Sequence, residues 1–223
     1  MNFLQLCQRV FIEGGVSGQI TSTQNQRGEA LRVVGWVQAA YTEILNDQAG
    51  AWDFVRRSAT VQLTQGKGDY TFSELGLTDA VQWDTRSMRV STLQSLEDQS
   101  FISHMAYSDF RDYWLFGTQR TIQQLPVSAT VGNQGELLIA PLPAGDYWLE
   151  LEYLASPTLQ QDADTPVLPP RFHMAVMWRA LRHYGLFEAA PETVARADIA
   201  LKEMMLHLAI DSSPEVEVGE PLC

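Results

Sequence analysis

Apolar residues recur every three or four positions at both ends of this chain and every second position in its middle. Phe3, Leu6, Cys7, Val10 and Phe11 form one stripe. It predicts a first helix from about Asn2, a good N-cap, to Glu13, stopped by Gly14 and Gly15. A polar loop rich in Ser, Thr and Gln runs from Val16 to Gln26. A second helix is predicted from about Arg27 to Asp47, with Leu31, Val34, Val37, Tyr41, Ile44 and Leu45 on one side. Near the other end, Pro169 and Pro170 suit a helix entry, where a missing N–H is not needed. Met174, Met177, Trp178, Leu181 and Tyr184 keep helical spacing up to a stop at Gly185, and Pro191 opens a further helix carrying Val194, Ala197, Leu201, Met204, Met205 and Leu208. Each stripe needs cover, so the two ends together predict a four-helix bundle.

Between them the period falls to two. Val61 and Leu63 alternate with Thr60, Gln62 and Thr64, and a turn at Gln65–Asp69 leads to Tyr70 and Phe72, which reads as a hairpin. Val127, Ala129 and Val131 alternate up to Gly132-Asn133-Gln134-Gly135, with Leu137 and Ile139 on the return. Tyr147, Leu149, Leu151 and Tyr153 alternate with Glu150 and Glu152, the signature of a strand with one wet face. One short helix interrupts this region, capped by Ser108, striped by Phe110, Tyr113 and Trp114, and stopped by Gly117. The predicted class is α+β. A four-helix bundle is built from residues 1–57 and 156–209, a β-rich domain is inserted at 58–155, and an extended acidic tail covers 210–223.

Composition narrows the function. The net charge is −12, which disfavours gripping a phosphate backbone, because that contact depends on basic residues. Residues 1–57 balance five acids against five bases, whereas 58–155 carry twelve against five and 188–223 eight against two. Two cysteines at opposite ends, Cys7 and Cys223, are no disulfide framework and fit a reducing compartment. The opening MNFLQLCQRV has neither a basic leader nor a long apolar run, and no window reaches membrane-spanning length. A soluble protein made in the cytosol is expected.

Candidate chemistry is sparse. Gly15-Val16-Ser17-Gly18-Gln19 misses the second glycine of a nucleophile elbow and follows a helix rather than a strand. Gly66-Lys67-Gly68 lacks the spacing of a phosphate loop. His104, His173, His183 and His207 show no metal-ligand spacing and read as surface or boundary residues. Glu150 with Glu152, and Asp109 with Asp112, read as solvated faces. No catalytic, cofactor or metal site is expected. Aromatic residues near element ends, Trp52, Phe54, Tyr113, Trp114 and Phe116, read either as core or as anchors for a partner protein or a sugar. The tail has four acids, no base, Pro214 and Pro221, and reads either as a solvated end or as an arm that orders on meeting a partner. The candidate contact residues are Trp52, Phe54, Trp114, Phe116 and, in the tail, Pro214, Glu215, Glu217 and Leu222.

Four segments, in this order along nearly the whole chain to about Leu208, resemble the head–tail adaptor (connector) proteins of tailed bacteriophages. They are FLQLCQRV with its Gly-rich loop; GEALRVVGWVQAAYTEI followed by Trp52-Asp53-Phe54; FRDYWLFGTQR at Phe110–Arg120; and LPPRFHMAVMWRALRHYG running into EAAPE. Pro170 departs from the pattern, where relatives carry an acid. The resemblance implies a helical bundle with an inserted β domain, assembled as a twelvefold homo-oligomeric ring in the virion. Such a ring binds the phage portal protein after genome packaging and presents a platform to the tail or nozzle protein. Double-stranded DNA passes through its lumen without specific binding. It implies no catalytic site, no cofactor and no membrane. Two other readings remain: a tail-completion or nozzle protein, and a carbohydrate- or receptor-binding module using the β insertion.

Overall fold

The computed structural model describes residues 1–47, 52–92 and 98–212. Among them run five α-helices: α1 (Phe3–Gly14), α2 (Gly28–Asn46), α3 (Tyr107–Trp114), α4 (His173–Phe187) and α5 (Pro191–Asp211). The strands are β1 (Arg56–Gln62), β2 (Asp69–Tyr70), β3 (Ala80–Ser91), β4 (Ser100–Phe101), β5 (Ser103–His104), β6 (Gln123–Gln124), β7 (Ser128–Val131), β8 (Leu137–Ala140), β9 (Leu142–Pro143) and β10 (Trp148–Ala155). The fold is mixed α+β. The chain divides into two compact units, Met1–Val55 with Pro157–Cys223, and Arg56–Ser156.

In the helical unit, α1 starts where its cap dictates. The Asn2 side chain accepts from the Gln5 N–H (2.9 Å) while the Gln5 side chain accepts from the Asn2 N–H (3.0 Å), so two orphan donors are satisfied reciprocally. Gly15, at φ 66°, turns the chain out of the helix and returns its N–H to the last carbonyls. All five stripe residues of α1 are buried. On α2 the buried arc is Val33, Val34, Val37, Ala40, Tyr41, Ile44 and Leu45. Leu31 falls outside that arc and is exposed, contrary to the sequence reading.

A 3-10 turn at Pro170–Phe172 feeds α4, which packs against α1, α2 and α5. Gly185 does not stop α4; the helix continues to Phe187. The glycine serves close approach instead, since a Cβ there would lie 3.0 Å from Val194 Cγ2 and 3.2 Å from its backbone nitrogen on α5. Arg179 of α4 reaches Glu43 (2.7 Å) and Asp47 (2.6 Å) at the end of α2. The packing is centred on α4, and α5 leans on it through few fully buried positions, Ala197 and Leu208. Trp178 is half-buried beside α5 rather than sealed in the core.

Residues 157–168 strap this unit together. The Phe3 N–H donates to the Asp164 carbonyl (2.7 Å) and the Leu4 N–H to that of Asp162 (3.2 Å). Thr23 donates its N–H (2.6 Å) and hydroxyl (2.5 Å) to the Asp162 carboxylate, which these bonds hold below the usual carboxylate range. Gln38 Nε2 donates to the Leu159 carbonyl (2.8 Å), and the Val167 N–H to Tyr41 Oη (3.2 Å). His173, expected at the surface or at a boundary, is buried: Nε2 lies 2.9 Å from the Leu168 carbonyl and Nδ1 2.7 Å from the Met1 amine. A carbonyl accepts only, so Nε2 carries the proton and Nδ1 accepts from the ammonium.

The second unit holds one four-stranded sheet in the order β1-β10-β3-β4, another in the order β2-β8-β7-β5, and the pair β6-β9. β10 is a central strand whose Leu149, Leu151, Tyr153 and Ala155 are buried in strict alternation. β7 and β8 form the expected antiparallel hairpin, closing with Val131 opposite Leu137. The other predicted hairpin does not form. β1 pairs with β10 and β2 with β8, because the intervening turn is pinned elsewhere: Gly66 N–H donates to Pro143 and Ile139 N–H to Gly68, both at 2.8 Å. α3 begins after Ala106 with no side-chain cap; Ser108 lies inside its first turn, and Phe110 alone is fully buried on it.

Candidate protein-interaction surfaces

Trp52, open between core and contact, is core. It is 1% exposed, its Nε1 donates to the Ile44 carbonyl (2.8 Å), and its ring stacks on Phe54 at 5.5 Å. The aromatic run after α2 therefore closes the helix end, and only Phe54 keeps part of its surface open.

Trp114 and Phe116 are placed differently. The end of α3 turns Tyr113, Leu115 and Phe116 outward, Phe116 to 60%. Trp114 is half-buried, edge-on to Tyr113 at 4.8 Å, and its Nε1 is sealed from solvent without a hydrogen-bond partner. A buried indole N–H without an acceptor is uncommon. Trp114 borders a cleft of about 410 Å³ lined by Phe110, Arg120, Leu142 and the glycine turn at Gly66–Gly68. Arg120 has no ion-pair partner among the described residues. The arrangement offers an apolar floor with a free guanidinium, suited to an acceptor-rich peptide or a hydroxylated ligand.

The helical unit exposes a surface that the sequence reading missed. A groove of about 670 Å³ runs between α4 and α5, lined by Phe172, Trp178, Met204, His207 and Ile210 among others, with the Arg171–Asp211 ion pair at one end. Arg196 lies 5.7 Å from the Trp178 ring centroid. Leu186 and Phe187, at the end of α4, are exposed as well, and Arg32 sits 4.5 Å from the Phe187 ring. Ile199, Leu206 and Ile210 also recur at helical steps, a second stripe on a helix that carries another through Ala197 and Leu208.

Several titratable groups are engaged structurally. Burial pushes the Cys7 thiol up to about 12, so it is no nucleophile at neutral pH. Burial, with the Met1 amine beside it, holds His173 below its usual value. Glu152 pairs with Arg56 (3.2 Å) and Glu150 accepts from Gln99. Among the described residues no group of three or more His, Cys, Asp or Glu is placed to hold a metal ion. None of the described helices is long and apolar enough to cross a membrane. Pro214, Glu215, Glu217 and Leu222 lie outside the described residues.

The family model described as SU10 adaptor protein matches residues 1–215. No curated protein matches the chain.

Proposed function

This chain belongs to the SU10 adaptor protein family, and we propose on that premise that it is the head-to-tail adaptor of a phage virion. In this reading it binds the portal ring after genome packaging and gives the tail or nozzle its platform. The observation that carries it is the family match, which runs through both units and stops four residues past the end of α5. The outward aromatics of α3 and the uncovered face of α5 support it, since contiguous exposed apolar surface marks sites that meet other proteins. The charge supports it too. Twelve acids against five bases in residues 58–155 suit the lining of a passage for duplex DNA, because carboxylates repel phosphates and let the strand slide. A closed ring, twelvefold by resemblance, needs two different complementary patches on every subunit.

The test is direct. Purified chain mixed with the portal of its own phage should add a ring visible by negative-stain imaging, and a portal that stays bare refutes the reading. Removing residues 213–223 should leave a folded protein that no longer captures portal; undiminished capture would take the tail out of the contact. The cleft lined by Trp114 and Arg120 favours one other reading, a receptor- or glycan-binding site in the second unit. Retention of the chain on a glycan array, lost in Trp114→Ala, would favour it.

A further inference from the structure

α5 is apolar on two opposite faces. One, through Ala197 and Leu208, is buried. The other carries Ala195, Ile199, Leu206 and Ile210, a single line at steps of four, seven and four, with Ile199, Leu206 and Ile210 exposed by 72%, 60% and 64%. A second apolar line left in solvent marks a surface that meets another protein. Glu192 and Glu203 lie along the same outer line, and neither has a cationic partner among the described residues.

α2 presents a surface of matching shape. Leu31, Arg32, Gly35, Ala39 and Thr42 face outward, and a Cβ placed on Gly35 would meet nothing within 4 Å. The small residues make a shallow track in which the ridge of another helix can settle close to the backbone. From Leu31 to Thr42, as from Ile199 to Ile210, is eleven residue steps, about 16 Å in each case. Phe187 lies exposed beside this track, and Arg32 above it has no carboxylate partner among the described residues.

We infer that the outer stripe of α5 docks on the outward face of α2 in a second copy of this chain, with Arg32 meeting the unpaired acid Glu203. The inference rests on the ring reading above and names its lateral contact. The two faces belong to different sides of α4: Arg182 and Gly185 meet α5, whereas Arg179 and His183 meet α2. Two unlike faces turned in different directions make a head-to-tail contact, which repeats from copy to copy and closes only as a ring.

Two variants separate the faces. Ile199→Glu with Leu206→Glu charges the α5 stripe, and Gly35→Glu with Ala39→Glu charges the α2 track. Every substituted position is exposed, and glutamate is a good helix former, so the melting curve should stay close to that of wild type. In sedimentation velocity each variant alone should self-associate at least about tenfold more weakly than wild type. The equimolar mixture should give a one-to-one dimer and nothing larger, because each pair retains one intact contact. A charged variant that assembles like wild type, or a mixture without dimer, overturns the inference. As an independent check, Leu206→Cys with Ala39→Cys in a Cys223→Ser background should give an oxidation ladder, while either cysteine alone gives none; no ladder counts against the contact. Wild type that forms rings while these tests fail leaves the ring reading standing and only the surfaces wrong. Wild type that stays monomeric, alone and on portal, overturns both.

Discussion

The two units of this chain are held by different forces. The helical unit is pinned by polar contacts across long stretches of sequence: Phe3 to Asp164, Thr23 to Asp162, Gln38 to Leu159, Tyr41 to Val167, Met1 to His173, and Arg179 to Glu43 and Asp47. The second unit has strand ladders and an apolar interior contributed by both its larger sheets, including Leu63, Met88, Val90, Leu137, Ile139, Leu149 and Leu151; its ion pairs, such as Arg57 with Asp79 and Arg56 with Asp84, are partly exposed. Joining two chain ends demands directional contacts, because each helix fixes only its own stripe. A sheet interior needs only volume and alternation. The two units should therefore fail under different insults.

The largest effect is expected from a cavity in the sheet. Leu151→Ala on β10 removes a fully buried side chain and should cost about 2–5 kcal/mol, read as a shift of one unfolding transition in urea. If the helical signal at 222 nm shifts by the same amount, the units unfold as one and the contrast disappears. An intermediate effect is expected from Arg179→Met. It deletes two charge-assisted bonds from a side chain 23% exposed and should cost about 1–2 kcal/mol, confined to the helical unit. An unchanged midpoint would mean that the pins contribute little. The smallest effect is a pH dependence. Burial lowers the His173 pKa in the folded protein, so the unfolded chain takes up a proton that the native state refuses. This contribution is complete above the ordinary histidine value of about 6.5 and is lost as pH falls below it. The drop in urea midpoint from pH 7.5 to 5.5 should be smaller in His173→Gln; an identical drop would show that His173 does not report on the strap.

What was legible in the sequence follows the same division. α1 could be read residue by residue, because its cap, stripe and stop are local. β10 was equally plain, since one face of it alternates without interruption. β3, the twelve residues Ala80–Ser91, was invisible. Its buried positions run Trp83 and Thr85, then shift to Met88 and Val90. Pairing with β10 slips between Glu150 and Glu152, where Ser87 Oγ accepts the Glu152 N–H at 2.8 Å. A bulge breaks the period that sequence reading depends on. The partners of β1 and β2 were misjudged for a related reason: proximity in sequence favours a hairpin, and the pins at Pro143 and Ile139 come from far away. Among the candidate contact residues, Trp52 could be read either way, because an aromatic after a helix looks the same whether it caps the core or faces a partner. The acceptor for its indole, the Ile44 carbonyl, is visible only in three dimensions.

β1 and β10 run side by side, with Arg56 opposite Leu154 and Arg57 opposite Tyr153. The chain therefore leaves for the second unit and returns from it at neighbouring points, about 5 Å apart by the geometry of a paired ladder. Such a doorway allows residues 56–156 to be exchanged as a cassette. A short loop, or a foreign domain whose termini sit equally close, could be grafted there without asking the helices to move. A phage adaptor would gain from that freedom, as would an engineer who wants a scaffold for displaying cargo.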